Sequence, residues 1–83
     1  MTPELIEKFV DIKKRKDTTV NIHFKDRQTV RGIFIQGKDY EELKSKNFWR
    51  IVNHQNVKAW IQTNDLSLAK IFNGAAFTRL SED

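Results

Sequence analysis

The stretch Ala69-Lys70-Ile71-Phe72-Asn73-Gly74-Ala75-Ala76-Phe77-Thr78-Arg79-Leu80 sets two apolar runs on either side of an Asn-Gly pair. A tight two-residue hairpin turn requires positive φ at both central positions, and Asn and Gly tolerate that conformation best. The segment therefore predicts a terminal hairpin, with strands over 66–72 and 75–80 turning on Asn73-Gly74. Lys70 and Arg79 are the main charges on its flanks, so an exposed edge here is adhesive and calls for cover from the rest of a barrel or from a second subunit.

Upstream, the alternation of Val20, Ile22 and Phe24 with Thr19, Asn21 and His23 has the period of a half-buried strand. The polar turn Lys25-Asp26-Arg27-Gln28 leads to a second strand over 29–36, in which Gly32 permits a sharp bend or a close backbone approach. A short helical turn capped by Asp39 is expected over 39–44. Phe48 to Val52 resumes strand chemistry, Val57 to Ile61 repeats it after the polar His54-Gln55-Asn56, and Thr63-Asn64-Asp65 marks a turn. Before all of these, Thr2-Pro3-Glu4 has the marks of a helix start: a capping hydroxyl, a proline suited to the first helical position, and an acid at the positive end of the dipole. Leu5, Ile6, Phe9 and Val10, with Ile12 at the margin, then form an apolar stripe, so a helix over about 3–15 packs on the sheet. Lys13-Lys14-Arg15-Lys16 occupies its last turn, where cations complement the helix C-terminus.

Composition bounds what such a chain does. With 83 residues, 39% hydrophobic and 31% charged, it reads as a single soluble domain, 1–83, with a modest core that burial in an oligomer would enlarge. The absence of cysteine removes disulfides, thiolate metal sites and cysteine nucleophiles, and fits a reducing, cytoplasmic setting. No apolar run approaches the roughly 20 residues that cross a bilayer, and Glu4 and Glu7 stand where a signal peptide is basic and then apolar, so no membrane role and no export are expected. The net charge of +4 favours polyanionic partners. Lys44, Lys46, Arg50, Lys58, Lys70 and Arg79 are opposed over that stretch by Asp65 alone, and make a basic face if the fold brings them together.

Two segments carry a family resemblance. Ile22 to Phe34, followed by Gly37-Lys38-Asp39-Tyr40, resembles the first Sm motif: a strand, a polar turn, a bending glycine and an Asp-x-aromatic neighbourhood. Ala69 to Leu80 resembles the second, in which apolar residues lead into an Arg-Gly turn and a short last strand. The resemblance covers most of the chain from Thr18 onward. It implies a mainly β protein: a small, strongly bent, five-stranded Sm-like (SH3-like) barrel over about 18–80 with an N-terminal α-helix. It further implies a ring that binds uridine- or adenine-rich single-stranded RNA near its pore, closed by pairing the fourth strand of one subunit with the fifth of the next. Self-association would thus run through Leu66–Phe72 and Ala75–Leu80.

Carried over residue by residue, the resemblance places Asp39 and Tyr40 near the pore loop and Asn73-Gly74 in the turn of the second motif. With Arg31 and Lys38 these are the candidate RNA contacts, Tyr40 the one expected to stack on a base. The sequence departs from the pattern in two places. Glu41 and Glu42 follow Tyr40 where the family has a base-contacting Asn, and Asn73 replaces the arginine of the Arg-Gly pair. Carboxylates in a pore loop repel phosphate, and Asn73 offers hydrogen bonds without charge.

For Trp49, Trp60 and Phe77, packing in a core or interface is the expected role, ahead of base stacking. His23 and His54 match no metal-ligand spacing, Glu41-Glu42 cannot oppose each other across a substrate, and Ser45, Ser67 and Ser81 lack a nucleophile context. No enzyme, no metal and no cofactor are therefore expected. Two other readings use the same barrel: an oligomeric scaffold or protein-interaction module that has lost RNA binding, and an SH3-like monomer docking a peptide on Trp49, Trp60 and Tyr40.

Overall fold

The computed structural model describes residues 1–11 and 18–82. Its helix α1 spans Pro3–Asp11 and starts as its sequence demands, the Leu5 N–H donating to the Thr2 hydroxyl (3.3 Å). Ile6 and Val10 are its buried residues, while Leu5 stays 54% exposed, so the buried stripe is narrower than expected. The rest of the expected helix, with Ile12 and the basic run 13–16, lies outside the described residues.

The remaining elements are β1 (Val20–Phe24), β2 (Val30–Phe34), α2 (Tyr40–Ser45), β3 (Phe48–Asn53), α3 (Val57–Thr63), β4 (Ala69–Asn73) and β5 (Phe77–Glu82). They form a mainly β fold, one five-stranded antiparallel sheet in the order β4-β3-β2-β1-β5 with helices packed on it. Three sequence expectations change here. Strands β4 and β5 lie at opposite edges of the sheet and do not form a hairpin. Asn73 keeps an ordinary extended φ of −83°, and a 3-10 turn over Gly74–Ala76 joins the two strands. Val57–Thr63 is a helix and not a strand: Val57, Trp60 and Ile61 repeat at helical spacing, and Asn64 ends it in the left-handed region at φ 53°.

The sheet curls strongly. In a flat sheet β4 and β1 stand three strand spacings, about 14 Å, apart. Yet the rings of Phe24 on β1 and Phe72 on β4 meet with centroids 5.8 Å apart. Gly32 permits part of this, because a Cβ there would fall 2.3 Å from the Val52 carbonyl oxygen of the paired strand. The edges nevertheless remain unpaired with each other, so the sheet is not closed.

Its concave side holds the main core, Val20, Ile22, Phe34, Trp49, Ile51, Phe77 and Leu80, capped by Ile6 and Val10 of α1. Phe77 and Leu80 both face inward although three residues apart, because the register slips between His23 and Phe24, and Thr78 bulges, its hydroxyl donating to the His23 carbonyl (3.2 Å). A second, smaller core forms on the other face, where Ile33, Ile35 and Val52 pack against Val57, Trp60 and Ala69. That helix cover explains why Gly32 to Ile35 is buried without alternation. Among the described residues no helix is long and apolar enough to cross a membrane.

Candidate nucleic-acid interface

The connections β2–β3 and β4–β5 meet, as the N–H of Gly74 donates to the Asn47 carbonyl (2.8 Å). Asn47, at φ 62°, is the centre of this junction. Its side-chain oxygen accepts from Trp49 Nε1 (2.8 Å) and its Nδ2 donates to the Met1 carbonyl (3.0 Å). The Met1 amino group in turn donates to the carbonyls of Gly74 and Phe77 (2.9 Å each).

Of the six candidate contacts, four are built into the chain's own structure. Asp39 does not cap α2 with its side chain; it pairs instead with Arg50. The Tyr40 ring leaves the loop expected for it and packs edge-on against Trp49 at 6.0 Å, with the Lys44 ammonium 5.5 Å from its centre. Its hydroxyl is buried and has no hydrogen-bond partner among the described residues. Burial, with the carboxylates of Asp11 and Glu7 adding to it, raises the Tyr40 pKa above its ordinary value. The Asn73 side chain accepts from Ala75 N (2.9 Å), which fixes the 3-10 turn, and Gly74 is buried. Arg31 and Lys38 are exposed, Arg31 on β2 opposite Asn21 of β1 and Lys38 in the turn that leads into α2.

The expected basic face does not assemble. Lys44 pairs with Glu7 and Glu41, Lys46 with Glu42, and Arg50 with Asp39, so acidic residues of α1 and the α2 region neutralise half of it. Hydrogen bonds that its ammonium donates to the Glu41 and Glu7 carboxylates hold the Lys44 pKa above the ordinary lysine value. Trp49, buried in the main core, offers no surface for a peptide.

What the curl creates instead is a groove of about 450 Å³ between the β1–β2 turn and β4. Arg27 and Lys70 line it, with Asn53, Gln55 and Asn56 from the end of β3 and the 3-10 turn that follows, over a floor that includes Ile51 and Phe72. The Arg27 guanidinium stacks over Phe24 and Phe72, 5.0 and 5.6 Å from their centroids. Lys70 stands opposite Ile51 in the β3–β4 ladder and so shares its face with Phe72. No carboxylate lines the groove. The sequence singles out Lys70 for a basic face but does not join it to Arg27 and the amides, because these residues come from three separate segments. One signal was present: alternation along β4 puts Lys70 on the Phe72 face, an unusual place for a charge in an apolar strand.

Comparison with protein-family models, with curated proteins and with solved structures finds no match to this chain.

Proposed function

We propose that this chain is a non-enzymatic, Sm-like oligomeric protein that binds single-stranded RNA. The observation that carries the reading is the strand order β4-β3-β2-β1-β5 on a sheet curled tightly enough to bring Phe24 and Phe72 together. The curl is what a strongly bent barrel requires, and the order leaves β4 and β5 at the two edges through which the subunits of such a ring would join. The meeting of the β2–β3 and β4–β5 connections at Asn47 and Gly74 supports the same reading, since these are the loops that carry the motifs. A net charge of +4 and a groove lined by cations and amides favour an anionic strand.

Fluorescence-polarisation titration against uridine-rich and adenine-rich oligonucleotides at low and moderate salt tests it. Binding that weakens steeply as salt rises is the expected result. No salt-sensitive binding at roughly tens of micromolar protein rejects it.

One observation favours a second reading, an oligomeric scaffold without RNA binding: Asp39, Tyr40, Asn73 and Gly74 all spend their side chains or their space on intramolecular contacts. An Asn73→Arg variant separates the two. A gain of RNA affinity over an inactive parent identifies a lapsed site, whereas binding already present in the parent rules the scaffold reading out.

A further inference from the structure

We propose that the groove between the β1–β2 turn and β4 seats one nucleotide unit, its phosphate held between Arg27 and Lys70 and its base edge met by Asn53, Gln55 and Asn56. The inference deepens the RNA-binding reading and rests on it only for the source of the nucleotide. It moves the contact away from the motif residues to a site they do not include.

Size comes first. About 450 Å³ lies within the range of small-ligand clefts and is ample for one nucleotide. Charge comes second. The lysines and arginine of the α2–β3 region are neutralised by neighbouring carboxylates, but no ion pair joins Arg27 or Lys70 to any described carboxylate. Arg27 has a separate structural use, since its guanidinium stacks on two phenylalanines. That use does not explain why Arg27 and Lys70 both line one groove that carboxylates avoid.

The amides supply the third element. Asn53 spends its side-chain oxygen on the Gln55 N–H (3.0 Å), which leaves its NH₂ to donate. Gln55 and Asn56 are exposed, and their side chains make no hydrogen bond within the described residues. An amide both donates and accepts, the complement of a nucleobase edge. The guanidinium plane of Arg27 also offers a stacking surface of the kind that unpaired bases use. A metabolite nucleotide and one residue of an RNA strand present the same phosphate and base, so the groove chemistry suits both.

The full-length chain labelled with ¹⁵N, titrated separately with inorganic phosphate, uridine and adenosine monophosphates and a uridine-rich oligonucleotide, tests the site. Amide signals of Asn53, Gln55, Asn56 and Phe72 are expected to shift with the nucleotides and the oligonucleotide. Lys70→Glu is expected to weaken oligonucleotide binding about tenfold or more at moderate salt and to flatten its salt dependence. Gln55→Ala, at an exposed position, checks the amide contribution in a variant whose fold is undisturbed. Oligonucleotide binding that is unchanged in both variants overturns the groove and leaves the RNA reading standing. Mononucleotide shifts without any oligonucleotide binding support the groove and reject RNA as its ligand. Phosphate alone reproducing every nucleotide shift overturns the role given to the amides, and no shift with any probe overturns the site entirely.

Discussion

Gly74 illustrates how a residue is selected for a reason its immediate neighbours in sequence do not reveal. Next to Asn73 it signals a tight turn with positive φ, but no glycine among the described residues has positive φ. The requirement is space: a Cβ on Gly74 would sit 2.3 Å from Asn47 Oδ1, 2.5 Å from Ile6 Cδ1 and 2.8 Å from Trp49 Nε1. Two segments distant in sequence, α1 and the start of β3, crowd that point, so the constraint became visible only in the fold. Gly74→Ala is expected to cost about 2–3 kcal/mol through overpacking and a disturbed Trp49–Asn47 hydrogen bond, seen as a lower urea midpoint at unchanged m value. Gly37→Ala is the contrast. Its Cβ would meet only the ends of the Arg50 and Asp39 side chains, at 3.3 and 3.4 Å, and the change should stay within about 0.5 kcal/mol. Tyr40 offers a second test at this scale. Its buried hydroxyl has no partner among the described residues, so Tyr40→Phe should be neutral or stabilising by up to about 1 kcal/mol near neutral pH. Because the folded state raises the pKa of Tyr40, the unfolded chain loses this proton first as pH rises. Stability from this group is therefore present below about pH 10 and falls above it. Urea unfolding across pH 8 to 11 should show the phenylalanine variant gaining on the parent only in the alkaline limb.

The elements differ in how much of them could be read. Helix α1 and β1 were legible because one face of each is buried and local spacing reports that face, and β2 and β3 because β-branched and aromatic residues fill them. Helix α3 was misread as a strand, since Val57 and Ile61 are β-branched; the spacing of Val57, Trp60 and Ile61 was the better guide. Only the second core, beneath Trp60, decides between them, and it is built from β2, β3 and α3 together. The left-handed Asn64 ends α3 and turns the chain toward β4, its N–H donating to the Trp60 carbonyl (2.7 Å). A β-branched side chain resists that conformation, so Asn64→Val should destabilise by about 1–2 kcal/mol, whereas Asn64→Gly should hold or gain stability. Thermal unfolding followed by circular dichroism compares the two. A destabilised glycine variant would show that the Asn64 side chain, and not its backbone conformation, sustains the end of the helix. The groove belongs to the unreadable part for the same reason as the second core: Arg27 and Lys70 meet only because the sheet curls.

For the whole molecule the decisive fact is that the two edges of the sheet, β4 and β5, are distant in sheet order yet follow one another in the chain. A strand edge with free N–H and C=O groups is a template for pairing unless charge, proline or a bulge blunts it. The Thr78 bulge interrupts the β1-facing side of β5, but its outer edge and that of β4 remain without strand partners among the described residues. Along β4, Ile71 is 52% exposed, a β-branched residue better suited to a partner strand than to water. In the proposed ring, pairing of β4 with β5 of a second copy would satisfy both edges at once and, being head-to-tail, would close when the rotation between copies divides a full turn. The expected outcome is a light-scattering mass that is a multiple of 9.8 kDa. Ile71→Lys places a charge on the edge and should return the mass to that of one chain, with circular dichroism unchanged because Ile71 lies outside both cores. A parent already at 9.8 kDa removes the edge-pairing argument. A multimer that persists in the lysine variant, with unaltered mass, places its interface elsewhere than on β4.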